Sequence, residues 1–262
     1  MEKVFHLNNP FGAPVYHEKT VSSTMEIART LAAQNAEHGT VITADFQESG
    51  RGRQKRPWVT ERGKCLLFTI LLRYDNVSSL PAALTLRTGL AVSLAVEDLS
   101  PALSGCVQVK WPNDVMIRTD KTQCAYKKLA GILAEGDGKT VLIGVGVNVT
   151  QRDFPEEYRS KAGSIIQAGT ELPENARFVL LEKILARLHR EIETPETSWR
   201  ERLTQRLYKR GETVIFAMGP ADSDCLVEGM LSGLGPGGEL LIIPVGEYAE
   251  RAFVTGELRV YG

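Results

Sequence analysis

Lys64-Cys65-Leu66-Leu67-Phe68-Thr69-Ile70-Leu71-Leu72 is a continuous, largely apolar run of residues that favour β-structure. A short run of this kind, without polar alternation, is typical of a strand that is buried on both faces. The sequence therefore predicts a buried strand at 64–72. A second predicted strand, Thr40-Val41-Ile42-Thr43-Ala44, lies upstream and leads into Asp45-Phe46-Gln47.

Between these two strands lies Gly50-Arg51-Gly52-Arg53-Gln54-Lys55-Arg56-Pro57-Trp58, called the Arg/Gly loop below. Its glycines allow a ligand to approach the backbone closely, and its arginine forks fit carboxylate and phosphate oxygens. On composition alone, a solvated basic loop or an RNA-binding segment is the simpler interpretation. Because the loop is held between two strands, we instead expect a lid over a small anionic ligand.

Composition limits the classes of function. The chain has 262 residues, 43% hydrophobic and 24% charged, which suits one large domain or a domain with a small appendage. Its net charge of −1 provides no global attraction for nucleic acid or an anionic membrane. The four cysteines have no metal-binding spacing and are expected to be reduced. No signal peptide and no apolar run of membrane-spanning length is expected.

The remaining elements are predicted from hydrophobic periodicity and turn residues. Helices are predicted at 25–36, at 80–99 with Pro81 in the first turn, at 173–193 and around 199–207. Further strands are predicted at 15–17, 107–110, 115–117, 128–135 and 141–149, the last three forming an antiparallel meander. Residues 118–127 are expected to be a polar excursion, and 153–170 to be irregular. Short strands at 213–216, 225–231, 239–243 and 257–260 predict a small β-barrel, with a boundary near residue 210.

Several motifs have an ordinary structural alternative. Ser22, Ser23 or Thr24 is expected to cap the helix at 25–36, because a hydroxyl oxygen can accept a free backbone N–H. Lys110-Trp111-Pro112-Asn113-Asp114 offers an amide and a carboxylate that suit Mg²⁺ beside phosphates, but these residues equally favour an ordinary turn. Lys128 opens an apolar strand, where it either points into a cavity or snorkels to solvent.

Two glycine motifs fail as nucleotide-binding fingerprints. Gly138-Lys139-Thr140 resembles the end of a phosphate-binding loop, but Leu133 stands where that motif needs a glycine, so a hairpin turn is predicted. Gly144 and Gly146 lie within a predicted strand and do not open a helix. Glycines inside a strand can mark the close approach of a ligand or another backbone.

The motifs occur in a characteristic order: Ser23-Thr24, Gln47, the Arg/Gly loop, Lys110 to Asp114, Lys128 to Leu133, and Gly144 to Asn148. This order resembles the biotin protein ligases, which attach biotin to carrier domains of carboxylases, and it covers nearly the whole chain. The resemblance implies an α+β, class II synthetase-like biotin/lipoate ligase fold. It has a mixed, largely antiparallel central sheet with packed helices at 1–210, and a small SH3-like β-barrel at 211–262.

The resemblance also implies roles for individual residues. Lys128, Arg51 and Arg53 would be catalytic. Biotin would be bound by Ser23, Thr24, Met25, Gln47, Gly50, Arg51, Gly52, Arg53, Lys128 and Gly131. ATP or the adenylate would be bound by Arg53, Arg56, Trp58, Lys110, Asn113 and Asn148, with Asn113 also near Mg²⁺. The segment 152–166 would order over the adenylate.

The implied reaction uses ATP, biotin and Mg²⁺ in the cytoplasm. Biotin is first converted to biotinyl-5′-AMP and then transferred to a lysine of a carrier domain, such as that of acetyl-CoA carboxylase. No nucleic-acid or membrane partner is expected, and a homodimer paired through an exposed sheet edge is one arrangement. Because the ligase motifs begin by Ser23, we expect the short form of the family, without an N-terminal DNA-binding domain or repressor activity.

Three departures from the family pattern bear on the site. Met25 stands where many relatives carry Asn, Lys55 stands where the loop usually has another Gly, and residues 118–127 lengthen the turn before Lys128. A lipoate or octanoate ligase or transferase is the nearest alternative, because it shares the fold and a similar lysine. An RNA-binding protein and a biotin sensor without catalysis are the others.

Overall fold

The computed structural model describes residues 2–4, 7–120, 125–193, 198–219 and 225–259. Over these residues the chain forms an eight-stranded sheet, a five-stranded sheet and five α-helices. The first sheet contains β1 (Glu2–Lys3), β2 (Val15–Glu18), β3 (Thr40–Ala44), β4 (Cys65–Arg73), β5 (Val107–Lys110), β6 (Asp114–Asp120), β7 (Ala125–Gly136) and β8 (Thr140–Asn148). The second contains β9 (Thr213–Met218), β10 (Leu226–Leu234), β11 (Leu240–Pro244), β12 (Arg251–Phe253) and β13 (Gly256–Arg259). The helices are α1 (Thr24–Ala33), α2 (Leu84–Leu99), α3 (Glu156–Arg159), α4 (Ala176–Glu193) and α5 (Trp199–Gln205).

The predicted buried strand is β4, which lies inside the eight-stranded sheet. The strand order is β1-β2-β3-β4-β8-β7-β6-β5, and each described pair is antiparallel except β2 with β3. Every residue from Cys65 to Leu72 is buried. The predicted meander is confirmed as β6, β7 and β8, which are antiparallel neighbours. The sheet is therefore mixed and largely antiparallel, as expected.

Helices pack on both faces of this sheet because β4 is apolar on both. On one face, Leu66, Phe68 and Ile70 share a core with buried residues of α2 and α4. On the other face, Leu71 packs with Ile42 and with Met25 and Ala28 of α1. The arrangement holds the first turn of α1 against the sheet, next to the end of β3 that leads into the Arg/Gly loop.

One expectation about α2 is wrong. The helix begins at Leu84, not at Leu80, because Leu80 is extended and Ala83 adopts the left-handed conformation with φ 54°. The segment Val77–Leu99 is long and apolar enough to cross a membrane by length and composition alone. However, 56% of an 18-residue window in this segment is buried inside the protein, and α2 packs against α4 in the core.

The predicted polar excursion at 118–127 is largely strand. β6 continues to Asp120 and β7 begins at Ala125, with Arg118 paired to Tyr126 across the ladder; residues 121–124 lie outside the described residues. Polar side chains fit here because they can alternate toward solvent along a strand. A single helical turn, α3, interrupts the segment that was expected to be irregular.

The five-stranded sheet is antiparallel with the order β12-β11-β10-β9-β13. It is consistent with a small SH3-like barrel, but it is not closed, since no pairing joins its edge strands β12 and β13 in the described residues. β12 was not predicted. Leu86 of α2 and Trp111 share a core with Phe216 and Leu231 of this sheet, and the Trp111 indole N–H donates to the Gly238 carbonyl at 3.0 Å. The division at residue 210 stays a prediction.

Candidate active site

A cleft of about 110 Å³ lies between the Arg/Gly loop, the start of α1, the turn before β6, and strands β7 and β8. It brings together most of the predicted site residues. Those that line it are Ser23, Thr24, Met25, Gln47, Arg51, Gly52, Arg53, Arg56, Trp58, Lys110, Asn113, Lys128 and Gly131. Gly50 and Asn148 are not among the lining residues. Residues distributed over about 110 positions of sequence therefore converge on one concave surface.

The Arg/Gly loop folds as a narrow hairpin. The Trp58 N–H donates to the Gly50 carbonyl at 2.9 Å, and the Gly52 N–H donates to the Arg56 carbonyl at 2.8 Å. At its tip, Gln54 and Lys55 have φ values of 55° and 58°. Glycine adopts this left-handed region more readily than residues with a Cβ. The departure at Lys55 therefore falls where the backbone favours the glycine of the family pattern.

Two contacts hold the loop over the cleft. Arg53 donates through its Nη1 to Asn113 Oδ1 at 3.1 Å. Arg56 forms a two-pronged contact with the Glu257 carboxylate of β13, with both distances at 3.3 Å. Asn113 is itself fixed, because its Nδ2 donates to the Ile132 carbonyl at 2.9 Å. The loop is thus tied to both sheets.

The Trp58 ring lies directly on the backbone of β7 and β8. A Cβ placed on Gly146 would lie 2.6 Å from this ring, and one on Gly131 would lie 3.0 Å from it. Both glycines are thus needed for the indole to reach this floor. The Trp58 indole nitrogen is buried and has no hydrogen-bond partner in the described parts of the chain. The strand glycines mark a close approach, and the group that approaches is Trp58.

Cations concentrate at the end of the cleft beside the Lys110–Asp114 turn. The Lys128 ammonium lies 2.7 Å from Asp114 Oδ1 and 5.6 Å from the centroid of the Trp58 ring. Lys110 is only 8% exposed. Burial lowers the pKa of its ammonium, while the carboxylates of Asp114 and Glu257 oppose that shift. This end of the cleft favours an anion.

Another part of the cleft, called its neutral end below, is formed by the start of α1 and Gln47 and offers hydrogen bonds. Ser23 occupies the N-cap position of α1, but its side chain makes no capping hydrogen bond. The Ser22 hydroxyl donates to Glu26 instead, at 2.6 Å. The first-turn Thr24 N–H donates to Gln47 Oε1 at 2.8 Å, so a distant glutamine caps the helix. The expectation that a local hydroxyl caps α1 is therefore wrong.

Asn148 has a different environment from the one expected. It is 3% exposed, and its Nδ2 donates to the Gly163 carbonyl at 3.1 Å and, more weakly, to the Lys128 carbonyl at 3.4 Å. The Lys128 N–H in turn donates to the Lys161 carbonyl at 2.7 Å. Asn148 thus ties residues 161–163 to the strand that carries Lys128. Its contact with a nucleotide stays a prediction.

The residues of the cleft do not form a ready-made protein site for Mg²⁺. The described part of the chain has no group of three His, Cys, Asp or Glu side chains placed to hold a metal. Asn113 Oδ1 already accepts from Arg53, and Asp114 is paired with Lys128. Mg²⁺ commonly binds through one or two protein oxygens plus waters and substrate phosphates.

Two residues of the site were not assigned from the sequence. The sequence suggested the Asp114 carboxylate only as an oxygen suited to Mg²⁺, and its pairing with Lys128 was not predicted, since the two residues lie 14 positions apart. Glu257 lies 201 residues from Arg56, and no local pattern points to it.

The family model described as the biotin/lipoate A/B protein ligase family matches residues 18–149. The chain is 35% identical over 172 residues to the bifunctional ligase/repressor BirA of Bacillus spizizenii, covering 63% of this chain and 50% of that protein. It is 35% identical over 183 residues to the biotin–[acetyl-CoA-carboxylase] ligase of Mycobacterium tuberculosis, covering 70% of this chain and 63% of that protein. The chain thus spans about half the length of the first of these curated relatives.

Solved structures extend the similarity over most of the chain. The biotin protein ligase of Aquifex aeolicus in complex with biotin and ATP superposes with a TM-score of 0.74 at 29% identity. The match covers 94% of this chain and 97% of that chain. Both sheets therefore have counterparts in one solved architecture.

Proposed function

Because the chain belongs to the biotin/lipoate A/B protein ligase family, we propose that it is an ATP-dependent biotin protein ligase. In the first step, the biotin carboxylate attacks the α-phosphate of ATP, giving biotinyl-5′-AMP and releasing pyrophosphate. In the second, a lysine amine of a carrier domain attacks the activated carbonyl, loses a proton and displaces AMP. Neither step needs a nucleophile from the enzyme.

The observation that carries this proposal is that one cleft contains both a neutral, hydrogen-bonding part and a cationic part. The neutral part presents the hydrogen-bonding groups of Thr24 and Gln47, and the cationic part presents Arg53, Lys110 and Lys128. An elongated acid with a neutral polar head and a terminal carboxylate matches both ends. Biotin has this form, and the cationic end would then hold its carboxylate beside the phosphates of ATP.

The first step brings two anions together, so its barrier depends on nearby positive charge. Arg51, Arg53 and Lys128 would reduce the repulsion between carboxylate and phosphate and stabilise charge that develops on phosphorus oxygens. Arginine suits the loop because its planar fork can bind two oxygens at once. Asp114 would keep Lys128 extended toward this end of the cleft until an anionic substrate shares its charge.

The second step requires that the mixed anhydride survives until the carrier arrives. Water would hydrolyse it, so a cover over the cleft protects the intermediate. The Arg/Gly loop is placed for this role, because Arg53 and Arg56 hold it to Asn113 and Glu257. At the second step the loop would have to open so that the carrier lysine can reach the intermediate.

The test is pyrophosphate exchange into ATP, measured with biotin, lipoate or octanoate as the acid. We expect exchange that depends on biotin and is at least about 100-fold faster than with the other acids, because their far ends carry no acceptor for the Gln47 amide donors. Exchange that is supported best by lipoate or octanoate would instead assign the chain to the other branch of the family. No exchange with any acid would favour a binding protein.

We also propose the partners that this reaction requires. The acceptor would be the carrier domain of a biotin-dependent carboxylase, in line with the name of the Mycobacterium tuberculosis relative. Mg²⁺ would accompany ATP, the reaction would take place in the cytoplasm, and neither nucleic acid nor a membrane would be needed. A homodimer stays a prediction, and Val109 of edge strand β5 is already hydrogen-bonded to Arg206 and Tyr208.

A further inference from the structure

Thr69 is the one hydroxyl residue in the apolar stretch 65–72 at the centre of the first sheet. It is 0% exposed and does not line the cleft. Its hydroxyl donates to the Thr24 hydroxyl oxygen at 2.8 Å. Since a buried hydroxyl without a partner is costly, this hydrogen bond accounts for a polar side chain among apolar neighbours.

The direction of the hydrogen bonds that follow is fixed by chemistry. The Thr24 backbone N–H is always a donor, so the Gln47 atom 2.8 Å away must be the carbonyl oxygen Oε1. The Thr24 hydroxyl donates to the same oxygen at 2.9 Å. Its only proton is then used, and its oxygen is left to accept from Thr69. These hydrogen bonds therefore form a relay from Thr69 to Thr24 to Gln47.

This hydrogen-bond relay determines which end of the Gln47 amide faces the ligand. Oε1 already accepts two hydrogen bonds, so the free donors are those of Nε2. Nε2 has no hydrogen-bonded acceptor among the described residues, and it lies 3.0 Å from where a Cβ on Gly50 would be, at the base of the Arg/Gly loop. The neutral end of the cleft thus presents N–H donors.

We propose that Thr69 is a positioning residue for recognition of the acid substrate, acting through Thr24 on Gln47. This inference rests on the proposed function and refines its specificity. The hydrogen-bond relay keeps the N–H groups of the Gln47 amide turned toward the ligand. It therefore selects an acid whose far end carries a carbonyl acceptor, such as the cyclic urea of biotin. Lipoate and octanoate have no such acceptor, so their binding does not depend on Thr69.

The test compares three variants of the full chain. Thr69→Val keeps the shape and removes the hydroxyl, whereas Thr69→Ser keeps the hydroxyl. Thr43→Val is the matched control, because Thr43 lies on the neighbouring strand and is only 2% exposed. Its hydroxyl donates to the Leu67 carbonyl at 2.8 Å and takes no part in the hydrogen-bond relay. Biotin affinity is measured by calorimetry, KM and kcat by pyrophosphate exchange, and folding by the thermal midpoint.

We expect Thr69→Val to weaken biotin binding and raise KM for biotin by about tenfold, with kcat changed less than about twofold. Thr69→Ser and Thr43→Val should bind biotin within about twofold of the parent, while both valine variants lose similar thermal stability. Octanoate binding should not change in Thr69→Val.

Parental biotin affinity in Thr69→Val, or an equal loss in Thr43→Val, would overturn the inference and leave the proposed function intact. An equal loss in Thr69→Ser would show that the hydroxyl is not the cause and would also overturn it. A parent protein that binds no biotin would overturn both the inference and the proposed function.

Discussion

The Lys128 ammonium and the Asp114 carboxylate lie 2.7 Å apart, on neighbouring strands β7 and β6. The pair keeps a lysine extended at the cationic end of the cleft, where a substrate carboxylate and the ATP phosphates would meet. An arriving anion competes with Asp114 for the ammonium. The paired state therefore holds Lys128 ready without leaving a bare charge in a partly buried site.

Replacing Lys128 tests its catalytic role. We expect Lys128→Ala to reduce biotin-dependent pyrophosphate exchange by at least about 100-fold, on the order of 3 kcal/mol, because positive charge beside the reacting anions is lost. Lys127→Ala is the control, since the Lys127 ammonium donates to the Arg159 carbonyl at 3.0 Å instead of facing the cleft. Equal effects in the two variants, or a loss explained by unfolding in circular dichroism, would contradict the role.

The contact of Trp58 with Gly146 predicts a spectroscopic change. Gly146→Ala places a methyl group 2.6 Å from the ring and must displace it. In Gly144→Ala the new methyl meets Met25 Sδ at 2.9 Å, the end of a flexible side chain that can move. We expect a red shift of tryptophan emission only in Gly146→Ala. Matching spectra for the two variants would show that Trp58 does not rest on this floor.

Opening the Arg/Gly loop should release the intermediate. In Arg51→Gly we expect biotinyl-AMP to escape and to biotinylate bystander proteins, detected by avidin blotting of a mixture with albumin. Arg62→Gly is the control, because Arg62 is exposed and donates to Lys19 and Thr20 outside the cleft. An Arg51→Gly enzyme as selective for the carrier as the parent would rule out retention by this side chain.

The left-handed backbone at Lys55 predicts a stabilising substitution. Lys55→Gly should favour the closed loop by about 0.5–1 kcal/mol, because glycine has no Cβ penalty at φ 58°. The measurement is amide hydrogen exchange of residues 50–58, which should become slower. Unchanged or faster exchange would mean that unfolded-state entropy outweighs the relief of strain.

The thiol of Cys65 predicts a loss of stability at alkaline pH. Burial raises the pKa of Cys65 from its ordinary value of 9.0 to about 12. The unfolded chain therefore loses this proton first, so stability falls as the pH rises from about 9 toward 12. Cys65→Ala should show a smaller fall in urea denaturation between pH 9 and 10.5. A slope equal to that of the parent would exclude this contribution.

Tyr74 offers an internal comparison for that experiment. Burial raises the pKa of its phenol from 10.0 to about 12. Its contribution begins one pH unit higher than that of Cys65, so Tyr74→Phe should reduce the fall in stability only above about pH 10. The same early onset in both variants would mean that the two side chains are not the titrating groups.

Much of the first sheet could be predicted because its signals are local. The apolar run at 64–72 gave a buried strand, and the turn residues around 136–140 gave a hairpin. The start of α2 could not be predicted, because the helix begins after Ala83, whose left-handed conformation is not one that alanine prefers. The sequence predicts a polar excursion at 118–127, because polar side chains alone do not distinguish a loop from an exposed strand that is held by pairing with its neighbour.

In the site, too, the residues could be predicted from the sequence but the contacts between them could not. The converging motifs placed Thr24, Gln47, Arg53 and Lys128 in one cleft, because their order along the chain resembles that of a family. Their mutual contacts could not be read from the sequence. The Arg56–Glu257 pair joins the two sheets across 201 positions. Likewise, Gln47 as the cap of α1 arises only when β3 and α1 lie side by side.

The central claim is tested most directly by incubating the protein with ATP, Mg²⁺, biotin and a biotin carrier domain, followed by mass spectrometry of the carrier. The account predicts one added biotinyl group on a single carrier lysine, dependent on ATP and abolished in Lys128→Ala. A carrier that stays unmodified with the parent protein, or that accepts lipoyl or octanoyl groups instead, would contradict it.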